Sequence, residues 1–289
     1  MKTIEVKKPS GYATQIGPAH PALKEPVMFS LDIEGERIRK ADFAPGMAHR
    51  GVEWMGMRRN CIQTMYLAER ICGICGITHS ISFSRAVEQI AQIQVPNRAH
   101  YIRSIVGELE RIHSHLLWAG VAAHELGFDS AFYLAWRVRE NVMDLLEYLT
   151  GNRVHYAIIQ IGGVRRDIVP DQFPRIEESM KFFEDAYAKL AAVFLDDTTV
   201  QMRCRDCGVL TYDEARLLCP VGPTARASGI KKDVRIDHAY AAYGDIELEY
   251  QTPDLLTGEV RGDVYDRIIT RLLEVKQSIG IVRQLLAML

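Results

Sequence analysis

The sequence predicts a mainly α-helical protein with a small N-terminal β region, an α+β arrangement, and three observations carry that expectation. Apolar residues alternate at Val27, Phe29, Leu31 and Ile33 on one side of Glu34-Gly35-Glu36, which is the period of a half-buried strand entering a turn. Beyond Val52 the apolar period lengthens to that of helices. With 289 residues, 48% hydrophobic and 25% charged, the chain is long enough to bury a substantial core.

In chain order, the alternating run from Val27 resumes at Ile38 after the turn and reads as a hairpin, within a β-rich part spanning about 12–50. Val95-Pro96-Asn97 then opens a long amphipathic helix, with Ile102, Ile105, Leu109, Ile112 and Leu116 at helical spacing and Gly120 as a weak point near its end. A second stripe, Val138, Val142, Leu145 and Leu149, covers about 135–149, and Gly151 supplies its stop. Residues 162–167 read as a loop. A third helix is expected over about 172–195. A fourth begins near Val264, with Ile268, Leu272, Val275, Ile279, Val282 and Leu286 on one face. Between the last two, Cys219-Pro220-Val221-Gly222-Pro223 and Ala227-Ser228-Gly229 make a turn-rich stretch. The expectation is one domain, 1–289, with a helical body over about 52–289.

Charge and targeting signals exclude several roles. With 35 Lys and Arg against 37 Asp and Glu, no basic excess exists to hold a nucleic-acid backbone, so nucleic acid is not an expected partner. The N-terminus, Met1 to Lys8, lacks an apolar signal core, and the run from Leu116 to Ala123 is too short to span a bilayer. Six cysteines, four of them in two Cys-x-x-Cys pairs, suit metal or redox chemistry in a reducing compartment. The expected location is the cytoplasm.

The densest chemistry lies in Glu69-Arg70-Ile71-Cys72-Gly73-Ile74-Cys75-Gly76-Ile77-Thr78-His79. Two thiols three positions apart can reach one soft metal, and glycine lets the backbone turn around it. From the pair alone a structural zinc site shared with Cys204 and Cys207 is favoured over a thioredoxin-type redox pair or half of a nickel site. Against zinc stand the long, mostly helical separation of the two pairs and, against thioredoxin, the missing βαβ context.

An ordered set of segments decides among these. Gly17-Pro18-Ala19-His20-Pro21, His49-Arg50-Gly51-Val52-Glu53, Met57-Arg58-Arg59-Asn60, Glu69 through His79, Gly107 through Leu116, Gly151-Asn152-Arg153-Val154, Gly162 through Asp167, Gly222 through Gly229 and Arg261 through Arg267 follow one another along the chain. Together they resemble the large subunit of membrane-bound, energy-converting [NiFe] hydrogenases. Many of them are shared with the quinone-module subunit of respiratory complex I, which lacks the Cys-x-x-Cys pair.

The resemblance implies that Cys72 is a terminal nickel ligand and that Cys75 bridges nickel to an iron carrying carbon monoxide and cyanide. Heterolytic hydrogen chemistry needs soft thiolates and an adjacent base. Glu25 stands where the family places its proton-relay carboxylate, although an exposed loop glutamate is the commoner reading of that residue type. His79 resembles the histidine whose ring donates to a metal-bound sulfur, against the bland alternative of a capping histidine. Glu53 matches a position where many hydrogenases bind magnesium, with only one carboxylate of that set visible. His113 falls on the apolar face and reads as a core histidine, and neither it nor His115 is assigned to metal. Arg165 and Arg166 are left out of catalysis, and Cys204 and Cys207, with the isolated Cys61 and Cys219, read as buried or incidental thiols.

The family further implies an iron–sulfur small subunit, antiporter-like membrane subunits and a ferredoxin-type electron carrier as partners, on the cytoplasmic face of the membrane. A complex-I-like or polysulfide-reducing relative and a non-enzymatic zinc-bound scaffold are the competing readings. Four thiolates are required by a nickel–iron centre, and the family's second pair, in Asp-Pro-Cys-x-x-Cys, does not occur here. The last apolar stripe runs to Leu289 without a stop signal, so the chain reads as truncated. On its own it is expected to bind no stable nickel–iron centre and to expose apolar surface.

Overall fold

A computed structural model describes residues 11–21, 23 and 25–289. Met1 to Lys8, and Ala22 and Lys24 beside the first motif, lie outside the described residues. The chain forms two compact units, residues 1–58 and 59–289.

The first unit is a three-stranded antiparallel sheet in the order β1 (Tyr12–Ile16), β2 (Met28–Glu34) and β3 (Arg37–Ala44), followed by the short helix α1 (Val52–Gly56). The expected hairpin is present: Gly35, at φ 63, turns the chain between β2 and β3, a conformation that costs glycine nothing. Leu31 pairs with Thr14 and Ala41 and is buried. Phe29 meets Phe43 across the strands with ring centroids 5.1 Å apart, the kind of cross-strand pair that fixes register.

The second unit is helical. It runs through α2 (Cys61–Glu69), α3 (Gly76–Ala91), α4 (Asn97–Glu125) and α5 (Asp129–Thr150), a small hairpin of β4 (Ile159–Gln160) and β5 (Gly163–Val164), then α6 (Phe173–Asp196) and α7 (Thr198–Cys204). After these come α8 (Tyr212–Leu218), α9 (Pro223–Ala227), the single turns α10 (Val234–Asp237) and α11 (Asp254–Thr257), and α12 (Val264–Met288). Helix α4 is the axis, packed by α5, α12 and α3. Its stripe Ile102, Ile105, Leu109, Ile112 and Leu116 is buried as its period requires. Val142, Leu145 and Leu146 of α5 and Ile269, Val282 and Leu285 of α12 close the same core. Each fully buried aliphatic side chain of this kind contributes about 1.5–3 kcal/mol.

All four helices read from periodicity are present, although α5 starts six residues earlier than its stripe, at Asp129. Gly120 does not weaken α4. A Cβ there would lie 2.8 Å from the Trp136 ring, so the glycine lets α5 approach. The loop at 162–167 contains β5, whose Gly163 pairs with Gln160. The turn-rich stretch contains α9, started by Pro223 at its first position. Helices α2 and α3 have no counterpart in the periodicity argument, because the buried face of α3 carries Ser80, Ser84 and Glu88 among its apolar residues. No helix among the described residues is long and apolar enough to cross a membrane.

Candidate metal-binding cysteine loop

The Cys-x-x-Cys segment is the turn that links α2 to α3. Asn60 starts α2 with a capping box, its side chain accepting from the Gln63 N–H at 2.9 Å, and the helix stops at Arg70. Cys72 lies in the turn and accepts a hydrogen bond from the Ile74 N–H at 3.3 Å. Cys75 is the residue from which α3 departs, and its carbonyl accepts from the His79 N–H. Both thiols are half-buried, and they lie within hydrogen-bonding reach of each other. Burial pushes the Cys75 thiol up to about 12, and the hydrogen bond and charge of Cys72 and the charge of Glu110 push the same way.

Two buried glutamates hold this loop, Glu110 from the distant helix α4 and Glu69 from the end of α2. Glu110, on α4, accepts from the N–H groups of Ile77 at 2.8 Å and Thr78 at 3.2 Å, and from the Thr78 hydroxyl. It thereby satisfies donors at the start of α3 that the helix itself leaves open, work that Cys75 does not do with its own side chain. Burial lifts the Glu110 carboxyl to about 7 against the pull of those same donors and of Arg111. Glu69, 2% exposed, accepts from the Ala157 N–H at 2.7 Å and pairs with Arg70. Gly76 packs on Glu69, where a Cβ would sit 3.0 Å from its carbonyl oxygen.

The sequence-predicted residues are distributed as follows. Cys72 and Cys75 come together. His79 stands one helical turn beyond Cys75, and no hydrogen bond joins its ring to either sulfur among the described residues. Glu25 is exposed in the segment ahead of β2, and Glu53 is exposed in the first turn of α1; both belong to the first unit. His113 is fully buried and accepts from Arg139 at 3.0 Å, and burial and that guanidinium hold its ring neutral with a pKa lowered to about 3. His115 is buried against Glu274 at 2.7 Å. Both are core histidines. Arg165 donates to the carbonyls of Ala157, Thr150 and Tyr156 and so braces the segment that Glu69 holds.

Cys204 is buried at the end of α7 and Cys207 is exposed. Among the described residues no three of His, Cys, Asp or Glu converge as a metal site, so a four-cysteine zinc site is not formed. The cysteine loop offers two soft donors, which fit two positions of a thiolate metal centre and no more. Glu110 and Glu69 are the functional residues that sequence reasoning missed. Glu69 directly precedes the motif, whereas Glu110 sits in α4, 33 residues beyond the N–H group of Ile77 that it accepts from, and carries no local signal.

A pair of thiols on a turn braced by buried carboxylates is an arrangement that could present sulfur to a soft metal. Residues 125–289 match the family model described as respiratory-chain NADH dehydrogenase, 49 Kd subunit, and residues 50–119 match that of nickel-dependent hydrogenase. The chain is 48% identical over 271 residues to membrane-bound hydrogenase subunit alpha of Pyrococcus furiosus, covering 93% of this chain and 64% of the relative. It is 34% identical to the carbon monoxide-induced hydrogenase of Rhodospirillum rubrum, covering 96% of this chain and 75% of that protein. A chain of the membrane-bound sulfane sulfur reductase, an archaeal respiratory membrane complex, superposes with a TM-score of 0.88 at 31% identity, over 96% of this chain and 73% of that one. The chain therefore belongs to the family that joins the large subunits of membrane-bound [NiFe] hydrogenases to the 49 kDa subunit of respiratory NADH dehydrogenase. It spans just under two thirds of the Pyrococcus subunit's length.

Proposed function

We propose that this chain supplies part of the catalytic large subunit of an energy-converting [NiFe] hydrogenase, with Cys72 and Cys75 as two of the four thiolates of its nickel–iron centre. The observation that carries this reading is the thiol pair on the turn into α3, inside the segment that matches nickel-dependent hydrogenases. When bound, the centre, its iron carrying carbon monoxide and cyanide, supplies the redox and Lewis-acid chemistry that splits hydrogen into protons and electrons. Such a centre takes two further thiolates besides Cys72 and Cys75.

Each residue then has a defined task. Cys72 and Cys75 present soft sulfur donors. Cys75, desolvated and held protonated when unpaired, would hold a soft cation through its sulfur as the thiolate. Glu110 and Glu69 hold the turn so that both sulfurs keep one geometry, which is the task of groups behind a metal ligand. Glu25 is assigned the exchange of protons between the site and water, His79 a hydrogen bond to a ligating sulfur, and Glu53 a carboxylate toward magnesium. An iron–sulfur small subunit, a ferredoxin-type carrier and antiporter-like membrane subunits complete the proposed assembly on the cytoplasmic face of the membrane.

The test uses the assembled enzyme. Cys75→Ser is expected to abolish stoichiometric nickel and hydrogen–deuterium exchange together, whereas Glu25→Gln is expected to keep the nickel and slow exchange by about 100-fold, as loss of a proton-transfer group does. Full nickel in the Cys75→Ser enzyme overturns the ligand assignment, and unchanged exchange in Glu25→Gln removes Glu25 from the reaction. A second reading, reduction of sulfane sulfur, is favoured by the superposition on the sulfane sulfur reductase chain. Polysulfide consumption without hydrogen–deuterium exchange distinguishes it.

A further inference from the structure

Away from the cysteine loop, an open cleft of about 630 Å³ lies where α3 ends and α4 begins, lined by Arg85, Glu88, Gln89, Gln92, Gln94 and His100. Its volume falls in the range of small-molecule sites, about 300–1,000 Å³. The charges in it do not cancel. Glu88 is already committed, accepting two bonds from the Arg103 guanidinium at 2.6 and 3.1 Å and one from the Gly162 N–H at 2.8 Å. Arg85 has no carboxylate partner among the described residues and is held by stacking over the Tyr240 ring, 4.9 Å from its centroid. One cation is left over.

Two further observations describe the cleft wall. The Nδ1 atom of His100 is buried behind it without a hydrogen-bond partner. Burial and the positive charges of Arg103 and Arg85 lower the His100 pKa, against Glu88 and Asp245, which raise it. Gln92 ends α3 in the left-handed conformation, φ 53 and ψ 37. Glycine adopts that conformation without strain and glutamine does not. Keeping a strained glutamine there keeps an amide at the cleft wall, between those of Gln89 and Gln94. Strain of this kind is retained where a side chain is needed.

We propose that this cleft binds a small organic oxyanion, a carboxylate or a phosphate monoester, whose charged head pairs with Arg85 and whose polar body is held by the glutamine amides. Arginine matches either head group through two parallel N–H donors. The amides are neutral and both donate and accept, so they grip polar groups of the ligand without adding charge. This site is separate from the cysteine pair and stands whether or not the hydrogenase reading does.

Isothermal titration of the full chain with citrate, AMP and inorganic phosphate tests it. Citrate or AMP is expected to bind saturably, at least tenfold more weakly to Arg85→Gln and to Gln92→Gly, and unchanged to Cys72→Ser. Gln92→Gly relieves the backbone strain, so its loss of affinity is not a loss of folding, and far-UV circular dichroism checks the Arg85→Gln fold. No saturable binding of citrate or AMP at millimolar concentration overturns the proposal. So does binding that both substitutions leave unchanged, or binding of inorganic phosphate alone.

Discussion

Glu110 illustrates how one side chain governs a site it is far from in sequence. Its carboxylate reaches from α4 to the Ile77 and Thr78 N–H groups, and a helix start closed in this way loses about 1–3 kcal/mol when a buried donor is left open. Glu110→Ala is therefore expected to lower the midpoint of urea unfolding without changing its slope, and to increase hydrogen exchange at the first turn of α3. Glu110→Gln, which retains an acceptor oxygen, is expected to recover part of that loss. Equal midpoints for Glu110→Ala and the unsubstituted chain would remove Glu110 from the support of the loop.

At the scale of elements, the contact of α4 with α5 depends on Gly120. The Trp136 ring atoms lie 2.8 and 2.9 Å from where its Cβ would stand. A β-branched side chain forces the ring and α5 outward, an overpacking cost of about 1–3 kcal/mol. Gly120→Val is expected to lower the thermal midpoint and shift the tryptophan emission to the red as Trp136 is exposed. Gly120→Ala gains helix propensity, about 1 kcal/mol, so its net loss is expected to be smaller. Helix α12 meets α4 through charge as well as apolar packing: Glu274 on α12 accepts from Arg226 at 2.7 Å and lies 2.7 Å from His115.

Across the whole helical unit, that charge contact extends into a buried network. Glu108 accepts from Arg235 at 3.0 Å, from the Tyr243 hydroxyl at 2.6 Å and from the Ser278 hydroxyl at 2.6 Å. Asp233 pairs with Arg235 at 2.7 Å and with Arg226 at 3.5 Å. Despite full burial, the Arg235 and Arg111 charges and the two hydroxyls lower the Glu108 carboxyl to about 2, and Glu274 is held well below the usual carboxylate range by His115 and Arg226. A depressed carboxyl contributes stability above its unfolded pKa, near 4.3, and that contribution is lost as pH falls toward the folded value. Acid unfolding is thus expected to steepen below about pH 4. Glu108→Gln removes one of the two carboxylates that face Arg235, leaving Asp233, and is expected to cost about 1–3 kcal/mol at neutral pH and to flatten the acid limb. An unchanged acid limb in Glu108→Gln would show that Glu108 does not carry it.

What the sequence by itself determined was local: the hairpin at Gly35, the four long helices, the stop at Gly151, and the cysteine pair three positions apart. Apolar period and turn chemistry act between neighbours along the chain, so they are written into it. The ordered motifs also placed the chain in its family. Tertiary structure alone decided which partners meet across long separations. It brought Glu110 to the start of α3 and Glu69 to Ala157, made His113 and His115 core residues with Arg139 and Glu274 as their partners, and kept Cys204 and Cys207 out of a shared metal site. It also left Arg85 without a carboxylate among the described residues, beside a strained Gln92. These outcomes depend on how α3, α5 and α12 cross α4, and crossing is set by the summed fit of many side chains at once. No spacing along a single helix encodes that sum.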